Sequence, residues 1–251
     1  MKISVVMLAY NAEKTIEESI KSVLGQMYSD FEFLIINDAS TDKTEQIIKE
    51  YANNDARIRY HKNEQNCGVA FSRELGAELS EGEYVAFIDS DDLWTEDKLS
   101  SQVELIKENE NAEFVFTGSA FIDSCGNVKK HILNVPEKVT YRKLLGQNII
   151  SCSSVLIKRT HLLGAFVPDD SMHEDFAAWL KILKKGVVAY GINKPLLVYR
   201  VSAGSRSYNK LKAAKMTLKV YRHMKLGIFL QVYYMCIYAV KGVKKYSKIY
   251  E

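Results

Sequence analysis

Apolar and polar positions follow two alternating rhythms through the first half of the chain. Ile3–Leu8 is a continuous apolar run of buried-strand length, and Glu13–Gln26 then sets Ile16, Ile20, Val23 and Leu24 on one helical face. Phe31–Ile36 reads as a second strand, and Ser40-Thr41-Asp42 offers capping residues to a helix reaching Tyr51. A short strand at Arg57–His61, a helix at Gly68–Leu79 and a strand at Glu83–Ile88 follow. A further helix is expected from Trp94 to about Asn109, with Thr95 as its cap. This β-α-β-α-β-α-β-α order predicts an α/β protein whose mostly parallel sheet is covered on both faces.

The rhythm then changes. Phe114–Ile122 and Val128–Leu133 flank Asp123-Ser124-Cys125-Gly126-Asn127, a hairpin with a loop of about five residues. Ser153–Ile157, Val187–Tyr190 and Leu196–Val201 read as three further strands, and His173–Lys185 has helical periodicity through Phe176, Leu180 and Leu183. The one compositional boundary falls near Ser202–Asn209.

Ligands of open α/β sheets bind outside the carboxyl ends of the strands. Three polar groups fall at such ends: Ala9-Tyr10-Asn11, Asn37-Asp38 and Asp89-Ser90-Asp91-Asp92. Three carboxylates within four residues repel one another unless a cation or hydrogen-bond donors offset the charge. Such hard oxygen ligands suit Mg²⁺ or Mn²⁺ shared with substrate phosphates. A solvated loop capping the next helix is the competing reading, and the position after Tyr84–Ile88 favours the cation. No GxGxxG follows the first strand and no GxxxxGK[ST] occurs, so dinucleotide redox chemistry and P-loop phosphoryl transfer lose their usual phosphate cradles.

The composition is that of an ordinary globular chain: 251 residues, 47% hydrophobic and 26% charged. It excludes disordered, collagen-like and disulfide-framework proteins. The net charge of +3 conceals an asymmetry, because residues 206–251 carry 11 Lys/Arg against one acid, Glu251. The remainder is a net acidic body, which argues against a nucleic-acid partner. The four cysteines are dispersed, without a CxxC pair, as expected of reduced thiols in a cytoplasmic protein. The apolar run Ile3–Ala9 is too short for a signal peptide and reads as a buried strand. Gly227–Val240 falls well under the roughly 18–20 residues a spanning helix needs. A basic segment interleaved with aromatic residues suits an anionic bilayer surface. It equally suits a helix packed on the body or on a second subunit in a homodimer.

Four segments together carry a family resemblance. Ser4–Asn11 (SVVMLAYN), Ile35–Asp42 (IINDASTD), Asn66–Ala70 (NCGVA) and Phe87–Asp92 (FIDSDD) resemble the family 2 glycosyltransferases, over about residues 2–205. The short bacterial enzymes of capsular, teichuronic-acid and O-antigen polysaccharide assembly are the most similar members. The resemblance implies a GT-A fold. Residues 1–112 would form the Rossmann-like nucleotide-sugar-binding half and 113–205 a mixed-sheet acceptor half, with 206–251 a helical tail. It implies that Ala9, Tyr10, Asn11 and Asp38 line the nucleoside pocket, that Arg73 approaches the diphosphate, and that Asp89 and Ser90 sit beside the ribose or uracil. Asp91 would bind Mn²⁺ or Mg²⁺, with Asp92 sharing that duty. His173-Glu174-Asp175 resembles the family's ED motif, making Asp175 the general base and Glu174 the residue that orients the acceptor. Tyr199-Arg200 and Ser202–Ser207 resemble a segment that closes over bound donor. Ala9 stands where Pro is frequent, Asn37 where Asp is, and Glu74 where Asn is. The first two adjust pocket contacts without removing Asp38 or the metal cluster.

The implied activity is inverting transfer from a nucleotide-diphospho-sugar, a UDP-sugar, to a hydroxyl of a growing glycan on a polyprenyl carrier, at the inner face of the plasma membrane. Inversion needs a base for the incoming hydroxyl and an electrophile for the leaving diphosphate, and Asp175 and the acid cluster supply those groups. Acidic decoration of a helix N-terminus is the alternative for Glu174-Asp175. The competing functions are a catalytically silent donor- or membrane-binding partner and a sugar-1-phosphate nucleotidyltransferase. The latter calls for a Gly-rich basic loop after the first strand, and Ala9–Ile16 has no glycine.

Overall fold

The computed structural model describes residues 1–201 and 210–250, with the side chains of 210 and 242–250 outside the description. The first half alternates β1 (Ile3–Ala9), α1 (Ile16–Leu24), β2 (Phe31–Asn37), α2 (Thr44–Asn54), β3 (Ile58–Lys62), α3 (Val69–Leu79) and β4 (Tyr84–Asp89). Then come β5 (Leu93–Trp94), α4 (Lys98–Glu108), β6 (Phe114–Asp123), β7 (Val128–Leu133), β8 (Lys138–Val139) and α5 (Tyr141–Leu145). A 3-10 turn at Cys152–Ser154, β9 (Leu156–Lys158), α6 (Arg159–Leu162), α7 (Glu174–Lys184) and β10 (Ala189–Val201) complete the body, followed by α8 (Lys210–His223) and α9 (Ile228–Tyr250).

Every residue of β1 and β2 is buried, which requires helices on both faces of the sheet. Alternate residues of β1 divide the core accordingly. Ile3, Val5 and Met7 pack with Ile16 and Ile20 of α1, Ile48 of α2 and Leu99 of α4. Val6 faces the opposite layer, with Ala77 of α3, Phe176 and Trp179 of α7, and Val220 and Tyr221 of α8. Among the described residues the sheet has the order β3-β2-β1-β4-β9-β6-β10-β5, with β7 on β6 and β8 on β10. β3, β2, β1 and β4 are mutually parallel, and their register sets Ala9 beside Asn37 and Leu8 beside Asp89. The carboxyl ends of three neighbouring strands therefore meet on one edge. β9 lies antiparallel between β4 and β6, so the second half is mixed.

Several boundaries differ from the sequence reading. Trp94 belongs to a two-residue strand paired antiparallel with Leu197, and α4 starts at Lys98. The expected strand at Ser153–Ile157 is a 3-10 turn followed by the short β9. Val187–Tyr190 and Leu196–Val201 merge into β10, whose pairing with β6 shifts register between Ile192 and Leu197. The Asp123–Asn127 hairpin is present, and the Asp123 carboxylate accepts from the Cys125 and Asn127 backbone N–H groups.

The basic segment is joined to the body through α8. Val220, Tyr221 and Met224 enter the core cluster, and the Tyr221 hydroxyl donates to the Leu145 carbonyl at 2.6 Å. No helix among the described residues is long and apolar enough to cross a membrane.

Candidate active site

The β1 and β2 ends are stitched together by local polar residues. Asp38 N–H donates to the Ala9 carbonyl at 2.9 Å, extending the parallel pairing past the strands. Asn11 adopts a left-handed conformation, φ 48°, in which Asn is tolerated. Its Oδ1 accepts from Thr41 N–H, and its own N–H reaches Ser40 Oγ. Tyr10, on the same turn, is 50% exposed. Asn37 is fully buried, its amide donating to Tyr60 and its Oδ1 accepting Ser40 N–H, so it shapes the turn.

Asp38 is buried and grips the loop ahead of α3. Its Oδ1 accepts from Asn63 Nδ2 at 2.7 Å and Cys67 N–H at 2.9 Å, and its Oδ2 accepts Gly68 N–H at 2.9 Å. Gly68 has φ +86°, and a Cβ there would stand 1.9 Å from Asp170 Oδ2. The Asp170 carboxylate caps α3 across the chain, accepting from Val69 and Ala70 N–H.

The acid cluster after β4 is sorted by tertiary partners. Asp89 is half-buried; its N–H donates to Ser153 Oγ and its Oδ1 accepts from Arg73 at 2.7 Å. Ser90 offers its carbonyl to Thr15 Oγ1. Burial, and then Asp89, push the Asp91 carboxyl up to about 6. Asp92 is 1% exposed, and its Oδ1 accepts Arg200 N–H at 3.0 Å. Burial together with Asp91 and Asp89 holds its carboxyl well above the usual range, and its Oδ2 has no well-formed hydrogen bond. Arg200 also donates from Nε to the Asp91 carbonyl and from Nη2 to Glu18. Tyr199 and Arg200 are thus strand residues of β10, and Arg200 clasps the acid loop in place of the mobile role expected for it. Ser202–Ser207 lies outside the described residues.

Arg73 connects the two halves. It is buried one turn into α3 and donates from Nη2 to Asp89 and from Nη1 to Glu174. Burial opposes its charge, but the neighbouring Cys152, Asp89, Glu174 and Asp175 outweigh that and raise it well above its ordinary value. Arg73 thus bridges two carboxylates at the strand-end edge where the resemblance implies a diphosphate. Glu174 is buried against Arg73, next to Asp175. Asp175, beside it in the first turn of α7, is half-buried, with Asn148 Nδ2 at 3.5 Å from Oδ2. Burial pushes the Cys152 thiol up, and Arg73, Asp89, Asp175 and Glu174 all act on it. The strand-end acids and the α7 acids therefore surround one buried core of charge.

Three residues here carry no mark in the sequence: Ser153, Asp170 and Asn148. Each acts on a group far along the chain, and no local spacing marks it.

The crowding at Asp89, Asp91 and Asp92 fits a hard divalent cation. Burial, and after it their acidic neighbours, raise Asp91 and Asp92, and a cation beside such carboxylates favours their charged form. Among the described residues no group of three or more His, Cys, Asp or Glu is arranged to hold a metal ion by itself, so protein carboxylates would supply only part of a coordination shell.

Comparison with known proteins agrees with this geometry. Residues 4–161 match the profile of glycosyl transferase family 2. The putative teichuronic acid biosynthesis glycosyltransferase TuaG of Bacillus subtilis is 39% identical over 97% of this chain and 96% of its own. The Escherichia coli UDP-Glc:alpha-D-GlcNAc-diphosphoundecaprenol beta-1,3-glucosyltransferase WfgD is 36% identical over 99% and 96%. Among solved structures, S. aureus TarS 1–349 in complex with UDP-GlcNAc superposes with a TM-score of 0.72 at 22% identity, covering 89% of this chain and 65% of that one. The mannosyltransferase PcManGT from Pyrobaculum calidifontis, in complex with GDP-Man and Mn2+, gives 0.68 at 20% identity, covering 90% and 64%. The sheet and its helices form the GT-A arrangement expected from the sequence.

Proposed function

Since this chain belongs to glycosyltransferase family 2, we propose that it moves a sugar from a UDP-sugar to a hydroxyl of a growing, lipid-linked cell-surface polysaccharide, with inversion at the anomeric carbon. The observation that carries this reading is the Arg73 bridge. It ties Asp89, at the carboxyl end of β4, to Glu174, next to Asp175 at the start of α7. Donor-side and acceptor-side carboxylates thus share one buried cation across the cleft.

In this reading Tyr10 offers its exposed ring to the base, and Asp38, whose Oδ2 receives a single N–H, keeps acceptor capacity for the uracil imide. Asp89 and Ser90 bound the ribose side. Asp91, assisted by Asp92, holds Mn²⁺ or Mg²⁺, which when bound supplies positive charge to the leaving diphosphate. Asp175 takes the proton from the acceptor hydroxyl as that oxygen attacks the anomeric carbon and UDP departs. Arg73 holds Glu174, and hence the first turn of α7, at a fixed separation from Asp89, so that the base stands on a rigid element. The names of the relatives support the substrate class: WfgD has a UDP-Glc donor, a diphosphoundecaprenol-linked acceptor and a β-linked product. A β product is the outcome of single displacement on an α-linked donor.

Thermal unfolding with UDP and Mn²⁺ tests the donor half. A ligand at a hundred times its Kd stabilises by about 2.7 kcal/mol, and Asp91→Ala is expected to abolish the Mn²⁺-dependent part of that shift. No Mn²⁺-dependent shift with any nucleoside diphosphate overturns the proposal.

A further inference from the structure

The two helices after the body carry opposite kinds of surface side by side. On α8, the exposed cations Lys212, Lys215, Lys219 and Arg222 recur every three or four residues, which is one helical stripe. The opposite stripe, including Met216, Val220 and Tyr221, is buried. On α9, Phe229, Val232, Tyr233 and Val240 form an outward apolar stripe, with Phe229 89% and Val240 73% exposed. Its inner face packs Tyr234 and Met235 on the core. Between the helices runs an apolar groove of about 400 Å³, lined by Leu218, Ile228, Val232, Met235 and Cys236 with Arg222 at its side. No Asp or Glu occurs from Lys210 to Tyr250.

An outward apolar stripe of this size marks an interaction surface, and the bordering cations specify an anionic partner. A second copy of this chain would bring the same cations to the contact and be repelled. α9 is not apolar enough to span a bilayer, but a basic amphipathic surface lies well in the interface plane of one. α8 also adjoins the helix that carries Glu174 and Asp175. Phe176 and Tyr221 meet edge-on at 6.1 Å, and His173 Nε2 lies 3.2 Å from the Ala213 carbonyl.

We infer that the outward face of α8 and α9 docks on an anionic phospholipid bilayer and thereby holds the acceptor side of the cleft against the leaflet. The surface is read from exposure and charge alone; its purpose rests on the proposed lipid-linked acceptor.

Flotation of the full chain with phosphatidylglycerol-containing vesicles and with pure phosphatidylcholine vesicles tests it. The protein is expected to float with the anionic vesicles and to release at high salt. F229S/V232S/Y233S and K215E/K219E are each expected to lower partitioning by about tenfold or more, at roughly fivefold for each surface cation lost. Both variants should keep the UDP·Mn²⁺ thermal shift of the parent, which shows an intact fold and donor pocket. Absence of flotation with anionic vesicles, or unchanged flotation of F229S/V232S/Y233S, overturns the inference. So does a parent dimer in lipid-free buffer that F229S/V232S/Y233S converts to monomer, because the face is then a self-interface. Flotation without any nucleotide shift leaves the surface standing and removes the functional reading; a shift without flotation does the reverse.

Discussion

Replacing Arg73 by Met is the sharpest perturbation of the cleft. The guanidinium is buried and supports two carboxylates, one of them, Glu174, also buried. Met fills the aliphatic part of the space but takes the guanidinium away from both acids, which lie close to Asp175 and Cys152. Breaking a buried ion pair from one side costs about 3–5 kcal/mol, because the remaining charge loses that counter-ion while staying desolvated. That is a large share of the roughly 5–15 kcal/mol that stabilises a typical domain. Adding Glu174→Gln to Arg73→Met removes the buried one of the two charges and is expected to recover more than half of the loss. Urea unfolding of the four proteins of this double-mutant cycle reads the effect. A loss below about 1 kcal/mol for Arg73→Met, the size of an exposed pair, refutes the reasoning. Strictly additive losses in the cycle refute it as well.

Two other substitutions probe the supports of the site. Lys98 is fully buried, 3.8 Å above the Trp94 ring and bonded to Gln102, and burial holds its amine well below the ordinary value of 10.5. The unfolded chain keeps that proton where the folded one sheds it, so the cost is full at low pH and lost as pH rises towards 10.5. The stability of the parent relative to Lys98→Met should therefore climb from pH 7 to pH 10, and parallel curves would exclude a buried, shifted amine. Gly68→Ala forces a Cβ onto Asp170 at positive φ, with an expected loss of about 1–3 kcal/mol and weaker UDP binding through the loop Asp38 holds. Calorimetric titration with UDP checks the second effect; parent-like stability and affinity would show that the Asp170 cap is dispensable.

Much of the parallel half was legible because β1, β2 and β4 are mostly apolar runs, with Ser4 and Glu32 as interior exceptions, and its helices are apolar at every third or fourth position. Period and length suffice for such elements. The second half resisted for physical reasons that particular residues show. β10 carries Gly191, Asn193 and Pro195 in mid-course, so it reads as two strands with a break, and the register shift between Ile192 and Leu197 accommodates that stretch. Thr95 looks like a helix cap, but its backbone N–H bonds the Leu196 carbonyl and keeps Trp94 in a strand. At the site, the local sequence presents Asp89, Asp91 and Asp92 as near equivalents. They are told apart by Arg73 and Arg200, and Arg200 lies 108 residues from the Asp92 it binds. The residue types of the cleft were readable; the division of labour among the acids was decided by distant partners.

The account turns on Asp175 acting as the base that deprotonates an acceptor hydroxyl at the edge where the donor binds. The most direct measurement compares parent and Asp175→Asn for transfer from UDP-sugars to a diphospho-polyprenyl-linked sugar, with the anomeric configuration of the product read by NMR. The parent is expected to give the inverted product. Asp175→Asn should bind UDP and Mn²⁺ like the parent while transfer falls by about 10²–10⁴-fold, the usual contribution of a general base. Transfer by Asp175→Asn at the parental rate, or a product with retained configuration, contradicts the account.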